Sequence, residues 1–317
     1  MIEGFSPNPE APALVIGGAG VDIVGRFKGE IRSGTSNPAQ IRSSFGGVAR
    51  NVAENLARLG QSVNLITAVG EDDDGIRLLQ GLRLAGVNTD SILCTSQYDT
   101  GSYLAVIDAR GALQFALDDM RAISSLTPNL LRSCAHLFKD ASLLFMDGNL
   151  PKESLRVALS LARKAHIPVC VDPTSVSLAA RMQPHLDRFY LMTPNIAEAS
   201  VLCGRDTPVS GRRQALEVAN TLVTQGVNIA IITLAELGLC YATSETNGYI
   251  PAIKTTIVDP TGAGDALSAA VIFALLNAID LDDAVRLGVS AASLTLRYRG
   301  AVVPDLSLEK LYDQLVI

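Results

Sequence analysis

Asp259-Pro260-Thr261-Gly262-Ala263-Gly264-Asp265-Ala266 stands between an extended run, Lys254 to Val258, and a long apolar run, Leu267 to Ile279. That order places a glycine-rich turn at the mouth of a helix, with one carboxylate just inside it. The first N–H groups of a helix have no intrahelical partner, and the macrodipole adds partial positive charge there. Gly262 and Gly264 let backbone approach a ligand with no Cβ between them. The stretch reads as an anion cradle, suited to phosphate. Asp265 would repel such a ligand unless it has a task, and the task that fits is to take a proton from a hydroxyl attacking that phosphate. The competing reading is an ordinary first-turn aspartate, which helices favour anyway.

Around this stretch, short apolar runs alternate with helical patterns. Strand candidates are Leu14 to Ile16, Val63 to Val69, Ser142 to Met146, Pro168 to Val171, Tyr190 to Met192 and Ile229 to Leu234. Between them, Glu153 to Ala165 and Arg212 to Gln225 carry apolar residues at helical spacing. The pattern predicts an α/β protein with a mainly parallel sheet covered on both faces. Polar residues recur at the strand ends (Asp147, Asp172, Asn195, Thr233), where such sheets bind ligands, and they predict one shared cleft. Two stretches break the alternation. Asp22 to Phe45 is polar and glycine-containing, and Thr100 to Asp119 reads as a hairpin turning at Ala109-Arg110-Gly111. Both are expected to build a small β lid that keeps water from the cleft.

A second glycine motif runs Gly46-Gly47-Val48-Ala49-Arg50-Asn51, then Val52, Leu56 and Leu59 at helical spacing and Gly60 as terminator. Asn51 offers a hydroxyl both a donor and an acceptor. Taken alone, a Gly-Gly turn before an amphipathic helix is usually structural.

Composition narrows the function classes. The 317 residues are 48% hydrophobic and 18% charged, with a net charge of −6. That balance speaks against broad nucleic-acid or membrane-surface binding. The cysteines are five, scattered and without a C-x-x-C, so buried thiols are expected rather than a disulfide framework or zinc site. His136, His166 and His185 lack metal-ligand spacing. Residues 1–10 show no signal-peptide pattern, and no uninterrupted run of ~18 apolar residues occurs, so a cytoplasmic location is expected. No G-x-x-x-x-G-K-[ST] is present, and Gly17, Gly18 and Gly20 lack the third glycine of a dinucleotide fingerprint.

The two glycine motifs together resemble the signatures of the ribokinase-like (PfkB) carbohydrate kinase family. Gly46, Gly47, Asn51, Ala53, Gly60 and Gly70 match the first signature, and Asp259 to Ile272 matches the second. Asn195 to Glu198 is similar to the family's Asn-x-x-Glu magnesium motif, although the same spacing is that of a capping box. Thr233 to Gly238 resembles its nucleotide-binding turn, with Ala235 where the family often has glycine.

The resemblance spans essentially the whole chain. It implies a single three-layer αβα domain over residues 1–317, with lid segments near 22–45 and 100–119 inserted. It also implies ATP and Mg²⁺ as cofactors. Asp265 would be the general base, with Gly262, Ala263 and Gly264 binding the γ-phosphate. ATP would meet Asn195, Thr233, Glu236 and Gly238, Glu198 would hold Mg²⁺ through water, and Asp259 and Thr261 form a candidate K⁺ site. The acceptor would meet Asp22, Gly46, Gly47 and Asn51, and a homodimer would pair through the lid.

Val48 and Arg50, with Ser36 and Asn37 upstream, depart from the ribokinase pattern and are similar to the pseudouridine kinase branch, where Ser36, Asn37 and Arg50 suit a polar base. The expected reaction is phosphorylation of the 5′-hydroxyl of pseudouridine. Ribokinase, fructokinase or another nucleoside kinase of the family stays open, as does a nucleoside-binding regulator without turnover.

Overall fold

The computed structural model describes residues 8–110, 112–205 and 209–315. Fourteen strands follow one another along these residues. The first six are β1 (Ala13–Ile16), β2 (Gly20–Phe27), β3 (Ala39–Gly46), β4 (Val63–Ile66), β5 (Ala68–Gly70) and β6 (Leu93–Thr95). Then come β7 (Gly101–Ile107), β8 (Leu113–Asp119), β9 (Leu143–Asp147), β10 (Val169–Asp172), β11 (Leu191–Met192), β12 (Ile229–Thr233), β13 (Leu239–Ala242) and β14 (Asn247–Ile250).

Eight strands form the main sheet in the order β14-β13-β12-β11-β10-β9-β1-β4. It is parallel from β4 to β12, and β13 and β14 extend it antiparallel. Its centre is buried on both faces, as the near-continuous apolar strands required. Along β1, Ala13 and Val15 join one apolar cluster while Leu14 and Ile16 join the other. The first cluster includes helices Val48–Arg58, Ala263–Leu276 and Leu281–Leu296, and the second Lys152–Ala165 and Gly211–Thr224. The expected three-layer αβα arrangement is therefore present.

The lid is a separate four-stranded sheet, β3-β2-β7-β8, built from the two stretches that broke the alternation. Gly111, placed at the hairpin turn by the sequence, lies outside the described residues. Pairing β2 with β7 is parallel and long-range, so the sequence could not announce it. Gly20 pairs with both Gly46 and Gly101 where the lid meets the body. A Cβ on Gly101 would come within 2.9 Å of the Ala19 carbonyl oxygen, so the strands can cross this closely only as glycine.

One local expectation needs correction. Val63 to Val69 is not one strand: it breaks at Thr67, β4 joining the main sheet and β5 pairing with β6. Lys254 to Val258 lies outside the strands. Its end is tied to the end of a helix, with Val258 and Asp259 N–H both donating to the Leu296 carbonyl.

Candidate active site

Two helices open toward one cleft. Helix Val48–Arg58 begins at Gly47 (φ 94°) and helix Ala263–Leu276 at Gly262 (φ 77°), and neither N-terminus is capped by a side chain. Both φ values lie where L side chains are strained, which explains glycine at each. Close approach adds a second reason: a Cβ on Gly47 would lie 2.5 Å from the Gly18 carbonyl oxygen, and one on Gly262 would overlap that of Ala301. Gly264 differs. A Cβ there would meet no atom within 4 Å, so this glycine faces open space rather than protein.

Asp265 and Asn51 meet across the helices, with Asn51 Nδ2 donating to Asp265 Oδ2 at 2.7 Å. Both line a cleft of about 830 Å³, together with Asp22, Gly47, Tyr103, Asp118, Asn149, Thr174 and Thr261. Asp265 is 9% exposed. Burial pushes its carboxyl up to about 7; the Asp22 and Asp147 carboxylates add to this, while Asn51 and Arg50 oppose it. Asp22 is pushed up to about 6, again chiefly by burial and against the pull of Arg50. A carboxyl poised near neutrality and facing a cleft is what a general base requires.

One rung of the lid gives Asp22, Tyr103 and Asp118 to this cleft. Ser44, Asp22, Tyr103 and Asp118 are directly opposite one another across β3, β2, β7 and β8. The next rung, Ser43, Ile23, Leu104 and Leu117, faces the other way. Tyr103 and Asp118 were missed in the sequence because only the pairing of β2 with β7 and β8 brings them beside Asp22. Asn149 carried a weak signal, lying two residues beyond a strand-end aspartate.

The four strand-end residues do not line the large cleft as the sequence suggested. Asp147 is fully buried and accepts from the N–H groups of Gly18, Ala49 and Asn149 at 2.8–3.0 Å. It fixes the turns at Gly17-Gly18 and Gly46-Gly47 from behind. Asp172 accepts from Thr174 N–H, and burial with the neighbouring Glu198 and Asp265 carboxylates raises its carboxyl well above the usual range. Asn195 and Glu198 form a complete capping box: Asn195 Oδ1 accepts from the Ala197 and Glu198 N–H groups, and Glu198 accepts from the Asn195 N–H at 2.9 Å. Asn195 is bridged to Thr233 at the end of β12.

The turn after β12 holds Ala235 at φ 51° and Gly238 at φ 96°, which accounts for glycine being favoured at the Ala235 place. Gly238 abuts the backbone of Ile250 to Ala252. Those residues, with Lys254, Arg286, Val289 and Arg297, line a second cavity of about 470 Å³. Glu236 is exposed in the short 3₁₀ turn Ala235–Leu237. Asp259 accepts from Thr261 N–H with one oxygen and from Gly300 N–H with the other.

Three acceptor contacts expected from sequence are placed elsewhere. Arg50 is 6% exposed, and its guanidinium donates to Phe45 O and Asn51 Oδ1 while pairing with Glu54. Asn37 closes its own loop onto Arg32 and Thr35, and it lines an apolar groove on the side of the lid away from the cleft. Ser36 is exposed in the same loop. For Asn37 and the terminal nitrogens of Arg50, local polar groups take up the side chain before a ligand can.

No group of three or more His, Cys, Asp or Glu able to hold a metal occurs among the described residues. None of the described helices is long and apolar enough to cross a membrane.

Known proteins sharpen this picture. A sequence profile of the pfkB family carbohydrate kinase matches residues 13–307. The chain is 31% identical over 296 residues to a pseudouridine kinase of Escherichia coli K12, covering 93% of each protein. It is 30% identical to a guanosine-inosine kinase of Exiguobacterium acetylicum, covering 92% of this chain and 97% of that one. Its fold superposes on Arabidopsis thaliana ribokinase complexed with ribose and ATP at a TM-score of 0.86, with 21% identity over 97% of this chain and 99% of that one. The chain belongs to the pfkB family of carbohydrate kinases, enzymes that transfer a phosphoryl group to an alcohol of a sugar or nucleoside.

Proposed function

We propose that this protein transfers the γ-phosphoryl group of ATP to the 5′-hydroxyl of pseudouridine. The observation that carries the chemistry is the pairing of Asp265 with Asn51 over the uncapped, glycine-lined start of helix Ala263–Leu276. Asp265 accepts the proton of the acceptor hydroxyl as its oxygen attacks phosphorus, and the N–H groups of Gly262, Ala263 and Gly264 meet charge on the transferring group. The open space beside Gly264 fits a phosphate there. Magnesium, when bound, would offset phosphate charge, and Glu198 would hold it through water.

The nucleoside end of ATP would occupy the cavity beside the Thr233 to Gly238 turn, while Asp22, Gly47 and Asn51 of the large cleft, with Gly46, would meet the acceptor. Asp259 and Thr261 remain the place for a monovalent cation. For the acceptor, the support is the Gly-Gly-Val-Ala-Arg-Asn motif together with likeness to pseudouridine kinases of Escherichia coli K12 and Arabidopsis thaliana.

Coupled ADP release with MgATP against pseudouridine, uridine, guanosine, inosine, ribose and fructose tests this reading. Preference for pseudouridine is expected. Preference for guanosine, inosine or ribose would keep the mechanism and move the acceptor; no turnover with any of them would favour a binding regulator.

The outward face of the lid exposes Ile41, Leu104, Phe115 and Leu117. A second copy pairing lid to lid would cover them, and light scattering of the purified protein tests for the dimer.

A further inference from the structure

The helix that carries Asn51 holds an unusual row of buried charge. Arg50, Asn51 and Glu54 are all 6% exposed or less. Glu54 pairs with Arg50 on one side and with Arg58 on the other, and Arg58 also donates to the Pro304 carbonyl. Burying two charged side chains, Arg50 and Glu54, on one helix is costly unless they have a function or satisfy one another. Satisfaction is incomplete, because Arg50 Nε is buried without a hydrogen-bond partner among the described residues.

The geometry at Asn51 suggests the function. Arg50 donates to Asn51 Oδ1 at 2.8 Å, and Asn51 Nδ2 donates to Asp265 Oδ2 at 2.7 Å. A guanidinium has donors only, so Arg50 can face only the amide oxygen. That removes the amide's other orientation, in which its oxygen would oppose the Asp265 carboxylate. Asn55 holds the backbone of the same residue, its Nδ2 donating to the Asn51 carbonyl at 2.9 Å. The amide keeps one further N–H, and Asn51 lines the cleft. It can therefore present that N–H to the acceptor molecule.

We propose that Arg50, braced by Glu54 and Arg58, is a positioning residue that locks the Asn51 amide with its NH₂ toward Asp265 and the acceptor. Arg50 acts through Asn51 and touches no substrate. The inference rests on Asp265 being the base. The groups facing Asp265 are Asn51 and Arg50 from this helix, Asp22 from the lid, and Asp147 and Asp172 from the strand ends. Of these, only Asn51 and Arg50 favour its ionised form.

A double-mutant cycle on kcat tests the lock, using Arg50→Lys, Asn51→Ala and the pair, with the best acceptor of the panel above. Arg50→Lys keeps the charge and loses the fork. It should lower kcat roughly 10- to 100-fold with KM for MgATP unchanged, and it should add little in the Asn51→Ala background. Losses that simply multiply, or a wild-type kcat for Arg50→Lys, would overturn the proposal.

An acceptor-free readout is ¹³C NMR titration of the Asp265 carboxyl, assigned by its loss in Asp265→Asn. Its midpoint should move to higher pH in Asn51→Ala and also in Arg50→Gln/Glu54→Gln, which removes the ion pair together to preserve the fold. An unmoved midpoint in a folded variant would sink the lock. Full turnover in Asp265→Asn would instead sink the base assignment, so the two failures are separable.

Discussion

The two helix starts that meet at the cleft share a plan and differ in what fills it. Each follows a glycine of positive φ, and each lacks a side-chain cap. Helix Val48–Arg58 is packed with polar groups: Arg50, Asn51, Glu54 and Asn55 are all buried. Its glycine is demanded by the protein's own backbone at Gly18. Helix Ala263–Leu276 is apolar along nearly its whole length, with Asp265 and Ser268 as its polar exceptions after Gly264. There Gly264 is demanded by no protein atom. One helix is a frame that orients a polar group, and the other is a cradle that presents a single carboxylate. A glycine conserves space for backbone in the first and leaves space for a ligand in the second.

Asp265→Asn should separate the two helices most strongly. Turnover should fall by roughly 10²–10⁴-fold with the fold retained, because a proton acceptor is lost. At pH 8 the same variant should be more stable by on the order of 2 kcal/mol, since a buried carboxylate whose ionisation is disfavoured is gone. Near-normal turnover, or a lowered melting temperature at pH 8, would contradict the role given to Asp265.

Alanine at the two glycines should then give opposite stability changes. Gly47→Ala meets the Gly18 carbonyl and a positive φ, and should cost roughly 2–3 kcal/mol in urea unfolding. Gly264→Ala lies in a helix and in open space, so stability should hold or rise by up to about 1 kcal/mol. Its kcat should nonetheless fall, by roughly tenfold, because the methyl group enters the phosphate's place. Equal destabilisation of both variants would erase the distinction between frame and cradle.

The pH response sharpens the same point. Asp265 must be ionised to act, so kcat should fall as pH drops through about 7. Stability should run the other way. Asp265 and Asp22 have folded-state values raised to about 7 and about 6, so their contribution is present in acid and fades as pH rises through those values. Melting curves from pH 5 to 8 should show that decline, and Asp265→Asn should flatten it. The smallest effect is expected from Glu198→Gln. It keeps a capping-box partner for Asn195 and should raise the Mg²⁺ concentration needed for half-maximal rate a few-fold; an unchanged magnesium titration would leave Glu198 as a cap alone.

Much of this was legible in the sequence because the signals are local. Continuous apolar strands spaced by amphipathic helices announce a parallel sheet covered on both faces. Gly262, Gly264 and Asp265 announce a cradle because helix starts expose N–H groups wherever they occur. The lid was legible as a break in the pattern. Its inner rung was not, since Asp22, Tyr103 and Asp118 become neighbours only when a parallel pair forms across 81 positions, as in the Asp22 to Tyr103 register.

Arg50 and Asn37 show the limit most plainly. Both are polar residues in motifs that bear on ligand binding, and sequence assigns such residues to the ligand. Tertiary structure decided otherwise: Asn37 is satisfied by its own loop, and Arg50 is held by Phe45, Asn51 and Glu54. What a side chain touches depends on which partners the fold brings within about 3 Å, and hydrogen bonding is too short-ranged for spacing along the chain to reveal it. Residue order determined the architecture and the chemistry of the cradle; the tertiary structure determined which polar groups are left free to meet a substrate.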